Sequence, residues 1–172
     1  MGMDVIGNDP RSERGAYFRN NIWWWHPLAT FIQDFYPEIA RGCEHWHTND
    51  GDGLDGDDAT RLADAIFADI KSGKVAEYDQ NYRRALSELP MEDCDWCDAT
   101  GIRTDEVGVQ MGFPDKELGE AEAVLTGRTR GWCNGCGGVG RKASWDANYP
   151  FSEENVKNFA EFLADCGGFA IC

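Results

Sequence analysis

Two stretches set the reading of this chain: Cys94-Asp95-Trp96-Cys97-Asp98-Ala99-Thr100-Gly101 and Cys133-Asn134-Gly135-Cys136-Gly137-Gly138-Val139-Gly140. Each opens with a Cys-x-x-Cys pair and ends on a glycine four residues beyond the second cysteine. A Cys-x-x-Cys turn aims two sulfurs at one point, and two such turns complete a tetrahedral shell of four thiolates around Zn²⁺ at about 2.3 Å. The closing glycine lets the backbone turn sharply without a Cβ clash. The pairs are separated by 35 residues, and closing such a loop costs roughly 3 kcal/mol in chain entropy. Apparent zinc binding of about 10 to 16 kcal/mol at peptide sites exceeds that cost several-fold. The expectation is one structural zinc on Cys94, Cys97, Cys133 and Cys136, in a zinc-knuckle subdomain spanning residues 91–145. Four thiolates leave no open position for a substrate. A rubredoxin-like iron centre and a redox dithiol are the alternatives for the same residues, and visible absorption separates iron from zinc.

Outward from the knuckles the pattern turns helical. Pro27 suits the first position of a helix in which Leu28, Phe31, Ile32 and Phe35 share one face, with Pro37 as its breaker. A second helix is expected after a cap at Asp57 or Asp58, with Leu62, Ile66 and Ile70 inward and Gly73 as its stop. A third runs from about Val75 to Leu89 and forms a helical hairpin with the second. The last is capped by Ser152, carries Glu153 and Glu154 at its positive end, and buries Val156, Phe159, Ala160 and Leu163. The apolar tail Phe169-Ala170-Ile171-Cys172 is expected to dock as a strand, and residues 41–56 to form a short strand and a tight loop. The fold class is therefore α+β: a mostly helical single domain over residues 1–172 with the knuckle subdomain inserted before the final helix.

The charge is 16 − 31 = −15, which argues against a binder of nucleic acid or acidic membranes over its whole surface. The acid is regional. Residues 50–69 hold seven acids against Arg61, whereas residues 128–142 hold four bases and no acid. No run approaches the roughly 20 apolar residues of a membrane span. The start Met1-Gly2-Met3-Asp4-Val5-Ile6 lacks the features of a signal peptide, so a cytoplasmic setting is expected, where paired cysteines read as metal ligands rather than disulfides.

Weaker constellations carry competing readings. Cys43, His45 and His47 alternate, so a strand would put them on one face near Asp50, Asp52 and Asp55, as a second metal site able to activate water. The competing reading is a strand with one buried cysteine and two ordinary histidines. Around the second knuckle, Arg128, Arg130, Arg141 and Lys142, with Trp96 and Trp132, form a candidate partner-binding patch that could stack on single-stranded nucleic acid. The same bases would equally offset the −2 charge of a zinc tetrathiolate. Gly135, Gly137 and Gly140 satisfy a dinucleotide-binding pattern, but no strand and helix flank them. Of Trp23-Trp24-Trp25, at least one ring must face outward on any regular element.

The segment Cys133 to Gly140 resembles the C-x-x-C-x-G-x-G unit of the DnaJ-type cysteine-rich zinc domain, and Cys94 to Gly101 resembles it with Ala99 replacing the first glycine. That domain usually carries four units and two zincs; two units imply one zinc, and chaperone activity is not implied. More broadly, Met1 to Val5, Gly15 to Pro27, both knuckles and Tyr149 to Cys172 resemble a family of uncharacterised proteins of bacteria and their phages. The resemblance implies a small mobile-element protein acting on host machinery; taken with the closed metal site and the charge of −15, it leads to the expectation of a non-enzymatic, phage- or prophage-type protein that binds a host or phage protein, with its acidity available to imitate nucleic acid. The alternatives are a metal-dependent hydrolase using His45 and His47, and a zinc-knuckle nucleic-acid binder.

Overall fold

The computed structural model describes residues 2–172. In chain order the elements are β1 (Gly2–Gly7), α1 (Glu13–Ala16), β2 (Tyr17–Asn21), α2 (Ile22–Phe35), α3 (Pro37–Ala40), α4 (Gly56–Lys71), α5 (Lys74–Ser87), β3 (Glu92–Asp93), α6 (Glu106–Gln110), α7 (Glu120–Thr126), β4 (Arg141–Lys142), a 3₁₀ turn (Trp145–Asn148), α8 (Glu153–Leu163) and β5 (Phe169–Ile171). Helix covers 46% of the chain and strand 13%, which makes the fold α+β and mostly helical. Two compact units emerge: the chain up to Ser87 together with Asn148–Cys172, and Glu88–Ala147.

The first unit is built on a three-stranded antiparallel sheet of order β2-β1-β5. Val5 at its centre pairs with Phe18 on one side and Ile171 on the other. Alternation along β1 buries Met3 and Val5. Against the sheet lie the apolar faces of α2 (Trp25, Leu28, Phe31, Ile32), α4 (Leu62, Ile66) and α8 (Phe159, Phe162, Leu163), each of these side chains at most 1% exposed. Side chains this size contribute about 1.5–3 kcal/mol each when fully buried. The docked tail is present as β5; β1 and β2 carry no comparable sequence signal, because their apolar residues alternate with polar ones over only five or six positions.

Helix α2 starts earlier than its proline suggests. The Asn21 side chain accepts from the Trp24 N–H at 3.1 Å and caps the helix, so the tryptophan run forms its first turn and Pro27 lies inside it. Helical spacing then gives the three indoles separate fates: Trp25 is fully buried, Trp23 packs on Tyr149 with ring centres 5.0 Å apart, and Trp24 stays half-buried. Similarly, α4 is capped by Asp55 rather than Asp57 or Asp58, its carboxylate accepting from the Asp58 N–H at 2.9 Å. Ser152 caps α8 as its sequence indicates.

Residues 41–47 form turns, not the expected strand. Cys43 and Trp46, three apart, are both buried, and that spacing is incompatible with strand alternation. Trp46 anchors the segment: its ring lies 6.4 Å from Trp25 and 5.8 Å from Phe169, and its indole N–H donates to the Ala40 carbonyl at 2.9 Å. Asp52 fixes the far end by accepting from the Glu44 and His45 amides at 2.6 and 2.8 Å. Beyond it, residues 51–54 run beside β5, with Gly51 donating to Ile171 and Phe169 donating to Leu54. Trp46→Ala should destabilise the first unit by about 3–5 kcal/mol, whereas His45→Ala, at an exposed position, should stay within about 0.5 kcal/mol; urea denaturation of the two variants measures both.

Candidate metal centre

The second unit closes on a two-stranded ladder in which β3 and β4 pair antiparallel, Glu92 with Lys142 and Asp93 with Arg141. That pairing delivers Cys94 immediately after β3 and places the end of the second knuckle immediately before β4. The Cys94 N–H donates to the Gly140 carbonyl at 2.9 Å, and the Arg103 N–H to the Trp132 carbonyl at 2.9 Å. The two knuckles are thereby tied backbone to backbone.

The four sulfurs converge. All lie within 4.8 Å of one another, with Cys94 Sγ 3.9 Å from Cys133 Sγ and Cys97 Sγ 3.8 Å from Cys136 Sγ. A tetrahedral ion with sulfur at about 2.3 Å requires sulfur–sulfur edges of about 3.8 Å, so the residues present fit such an ion. The distances are far beyond the roughly 2.05 Å of a disulfide. Backbone amides also point at the sulfurs: Gly101 N–H to Cys97 Sγ and Gly140 N–H to Cys136 Sγ, both 3.2 Å. Each knuckle therefore supplies one donor to offset thiolate charge. Burial pushes the Cys97 thiol up to about 12 and raises Cys133 as well. Burial opposes ionisation of Cys136 too, but the Gly140 amide and the neighbouring thiols carry it below the usual thiol range. Metal uptake must displace protons from such a cluster, so binding weakens as pH falls. Among the described residues this is the one group of three or more His, Cys, Asp or Glu side chains whose ligand atoms converge.

The closing glycines interlock. A Cβ on Gly101 would come within 2.2 Å of the Gly138 carbonyl oxygen, and a Cβ on Gly140 within 2.2 Å of the Ala99 carbonyl oxygen. Both have positive φ, +76° and +82°. The first knuckle differs from the second in forcing Asp98 (φ 47°) and Ala99 (φ 61°) into the left-handed region that Gly137 and Gly138 occupy opposite them. Alanine in that conformation costs roughly 1–2 kcal/mol.

Each knuckle also carries a tryptophan that lies on a glycine, Trp96 remaining exposed and Trp132 half-buried. Trp96 lies on Gly135, whose Cβ would fall 2.8 Å from its ring, and the Arg103 guanidinium sits 4.6 Å from the ring centre. Trp132 lies on Gly138 in the same manner, with the Lys116 ammonium 4.0 Å from its ring centre. The basic residues are likewise engaged. Arg128 donates to the carbonyls of Thr100 (3.1 Å) and Gly101 (3.2 Å) in one knuckle and of Gly138 (2.5 Å) in the other, acting as a clamp between them. Arg130 faces Asp115 and Glu117 at 3.9 and 3.6 Å. Arg141 donates to the Met91 carbonyl at 2.7 Å and faces Asp93 at 3.5 Å, and Lys142 pairs with Asp95. Each cation of the patch of Trp96, Arg128, Arg130, Trp132, Arg141 and Lys142 thus has a protein partner, while Trp96 and the Arg130 and Arg141 side chains stay exposed. Arg103 and Lys116, the two cations that cover the tryptophans, were not legible as such in sequence. Arg103 is held by a bidentate pair with Asp105 at 2.8 and 2.9 Å.

Cys43, His45 and His47 do not assemble. Cys43 is buried, its thiol pushed up to about 12 by burial, while His45 is exposed. His47 turns to α2, with its Nδ1 2.8 Å from His26 Nδ1 and its Nε2 3.0 Å from Gln33 Oε1. The turn at residues 43–47 removes the shared face on which a second metal site depended.

Two substitutions test the interlock in opposite directions. Gly140→Ala should destabilise the second unit by more than about 2 kcal/mol, because the added methyl overlaps a backbone oxygen at a positive-φ site. Ala99→Gly should stabilise it by up to about 1 kcal/mol by relieving the left-handed alanine; thermal unfolding of the metal-loaded protein reads both signs.

No family model matches this chain, and no curated protein and no solved structure matches it.

Proposed function

We propose that this is a non-enzymatic, zinc-stapled protein that binds a macromolecular partner. The observation that carries the reading is the closed group of four sulfurs, with edges near 3.8 Å and two amides on the sulfurs, in which an ion's coordination is complete. A zinc so enclosed has no position for water or substrate, and its contribution is to folding.

The segment between the knuckles is the part of the second unit that best supports a partner surface. Val107, Val109 and Met111 on and after α6 are 50–64% exposed, and Val124 and Leu125 on α7 are 81% and 68% exposed. No residue of α7 is buried. Residues 104–127 carry six acids and one base, Lys116; Asp105, Asp115, Glu117 and Glu122 face Arg103, Arg130 and Lys116, and Glu106 and Glu120 form no ion pair among the described residues. Exposed aliphatic side chains among carboxylates suit a partner with an apolar anchor and a basic rim, such as a protein that itself handles nucleic acid. This is the form in which acidic mimicry, expected of a phage- or prophage-type protein acting on host machinery, fits the molecule. Direct nucleic-acid binding is disfavoured because the bases of the second unit each hold a protein partner.

Elemental analysis should find one colourless zinc per chain. Cys133→Ser should abolish it and unfold residues 88–147, seen as lost amide protection there. Val124→Asp with Leu125→Asp should keep the zinc yet lose the partner in affinity capture. Retention of the metal after His45→Ala and His47→Ala is expected; a second metal lost on that change would instead support a hydrolase.

A further inference from the structure

The tryptophan run leaves one indole unexplained by packing. Trp25 lies among Trp46 and Phe159, and Trp23 rests on Tyr149, but Trp24 enters no ring–ring contact. It lines a groove of about 260 Å³ in the first unit together with Asn20, Ser152, Glu154, Asn155 and Asn158.

The amides of this groove are ordered. Asn155 is fully committed: its Oδ1 accepts from Asn20 Nδ2 at 2.8 Å, its Nδ2 donates to the Trp24 carbonyl at 3.3 Å, and its backbone N–H donates to Ser152 Oγ at 3.2 Å. These bonds fix β2, the first turn of α2 and the start of α8 around the groove, and they orient Asn20 so that its Oδ1 remains available. Among the described residues no hydrogen bond uses the Ser152 hydroxyl hydrogen or the Asn158 amide, and Glu154 forms no ion pair.

We infer that the groove beside Trp24 binds one ring of a neutral saccharide. The indole matches the apolar C–H face of a pyranose. A sugar hydroxyl both donates and accepts, and side-chain amides offer both functions, so Asn20 and Asn158 can each serve vicinal hydroxyls. Phosphorylated and acidic ligands are repelled, because no cation lines the groove and its one charged group is Glu154. The volume falls below the roughly 300–1,000 Å³ of drug-sized sites, which suits a single ring.

The test uses the full-length zinc-loaded protein with chitotriose, cellotriose and maltotriose as probes, followed by saturation-transfer NMR and by the Trp24 indole resonance. At least one trisaccharide should bind with saturation concentrated on one ring. Trp24→Ala should weaken it at least about tenfold and Trp24→Phe less, as loss of an aromatic contact implies. Asn158→Ala, at an exposed position that leaves the fold intact, should also weaken it. Absence of binding by all three sugars at millimolar concentration, binding unchanged in both Trp24→Ala and Asn158→Ala, or preferential binding of adenosine would overturn the inference.

Discussion

Convergence of four buried sulfurs is the constraint on which the second unit rests. The unit has only two residue pairs of ladder in β3–β4, two short helices and a small apolar cluster made of the cysteines themselves. Nothing of that size can offset the conformational entropy of 60 residues through apolar burial alone. An ion held by the four sulfurs would change the balance: it would join two turns far apart in sequence and compensate sulfurs that burial otherwise keeps protonated. The remaining features of the unit serve that junction. Gly101 and Gly140 allow the knuckles to approach within backbone contact, Arg128 ties three carbonyls across them, and each tryptophan covers a knuckle under its own cation.

The first unit is held together by different physics. Its centre is aromatic, with Trp25, Trp46, Phe31, Phe159, Phe162 and Phe169 at most 2% exposed. Edge-to-face and offset contacts among them add about 0.5–1.5 kcal/mol per pair beyond area burial. A loop without regular structure can therefore be fixed in place, since Trp46 gives residues 41–47 an anchor that strand pairing does not. The difference matters for function. Loss of a metal from the four sulfurs would act on the second unit, while the groove beside Trp24 is lined by residues of the first.

Charge has the same divided character. The net −15 separates into −9 for the first unit and −6 for the second, from 10 bases against 19 acids and 6 bases against 12. The basic stretch at residues 128–142 does not make a positive surface, because Asp93, Asp95, Asp115 and Glu117 come to meet it. Those acids lie 13 to 48 positions away from their partners in sequence, so counting charges in a window gives the wrong local field. Apart from Arg128, what is left without an ion pair among the described residues of the second unit is acidic, and Glu106 and Glu120 of that remainder lie on α6 and α7.

Sequence alone determined the features whose cause is local. The Cys-x-x-Cys spacing, the glycine four residues on, the Ser152 cap and the apolar periodicities of α4, α5 and α8 each express chemistry within one or two turns of chain, and each is present at or near its expected position. Tertiary structure decided whatever depended on a distant partner. It turned residues 43–47 out of a strand because Trp46 found Trp25 and Phe169, drew His47 to His26, and paired β1 with both β2 and β5. It also converted Arg128 from a candidate contact into a clamp, since only the folded knuckles bring the carbonyls of Thr100, Gly101 and Gly138 to one guanidinium.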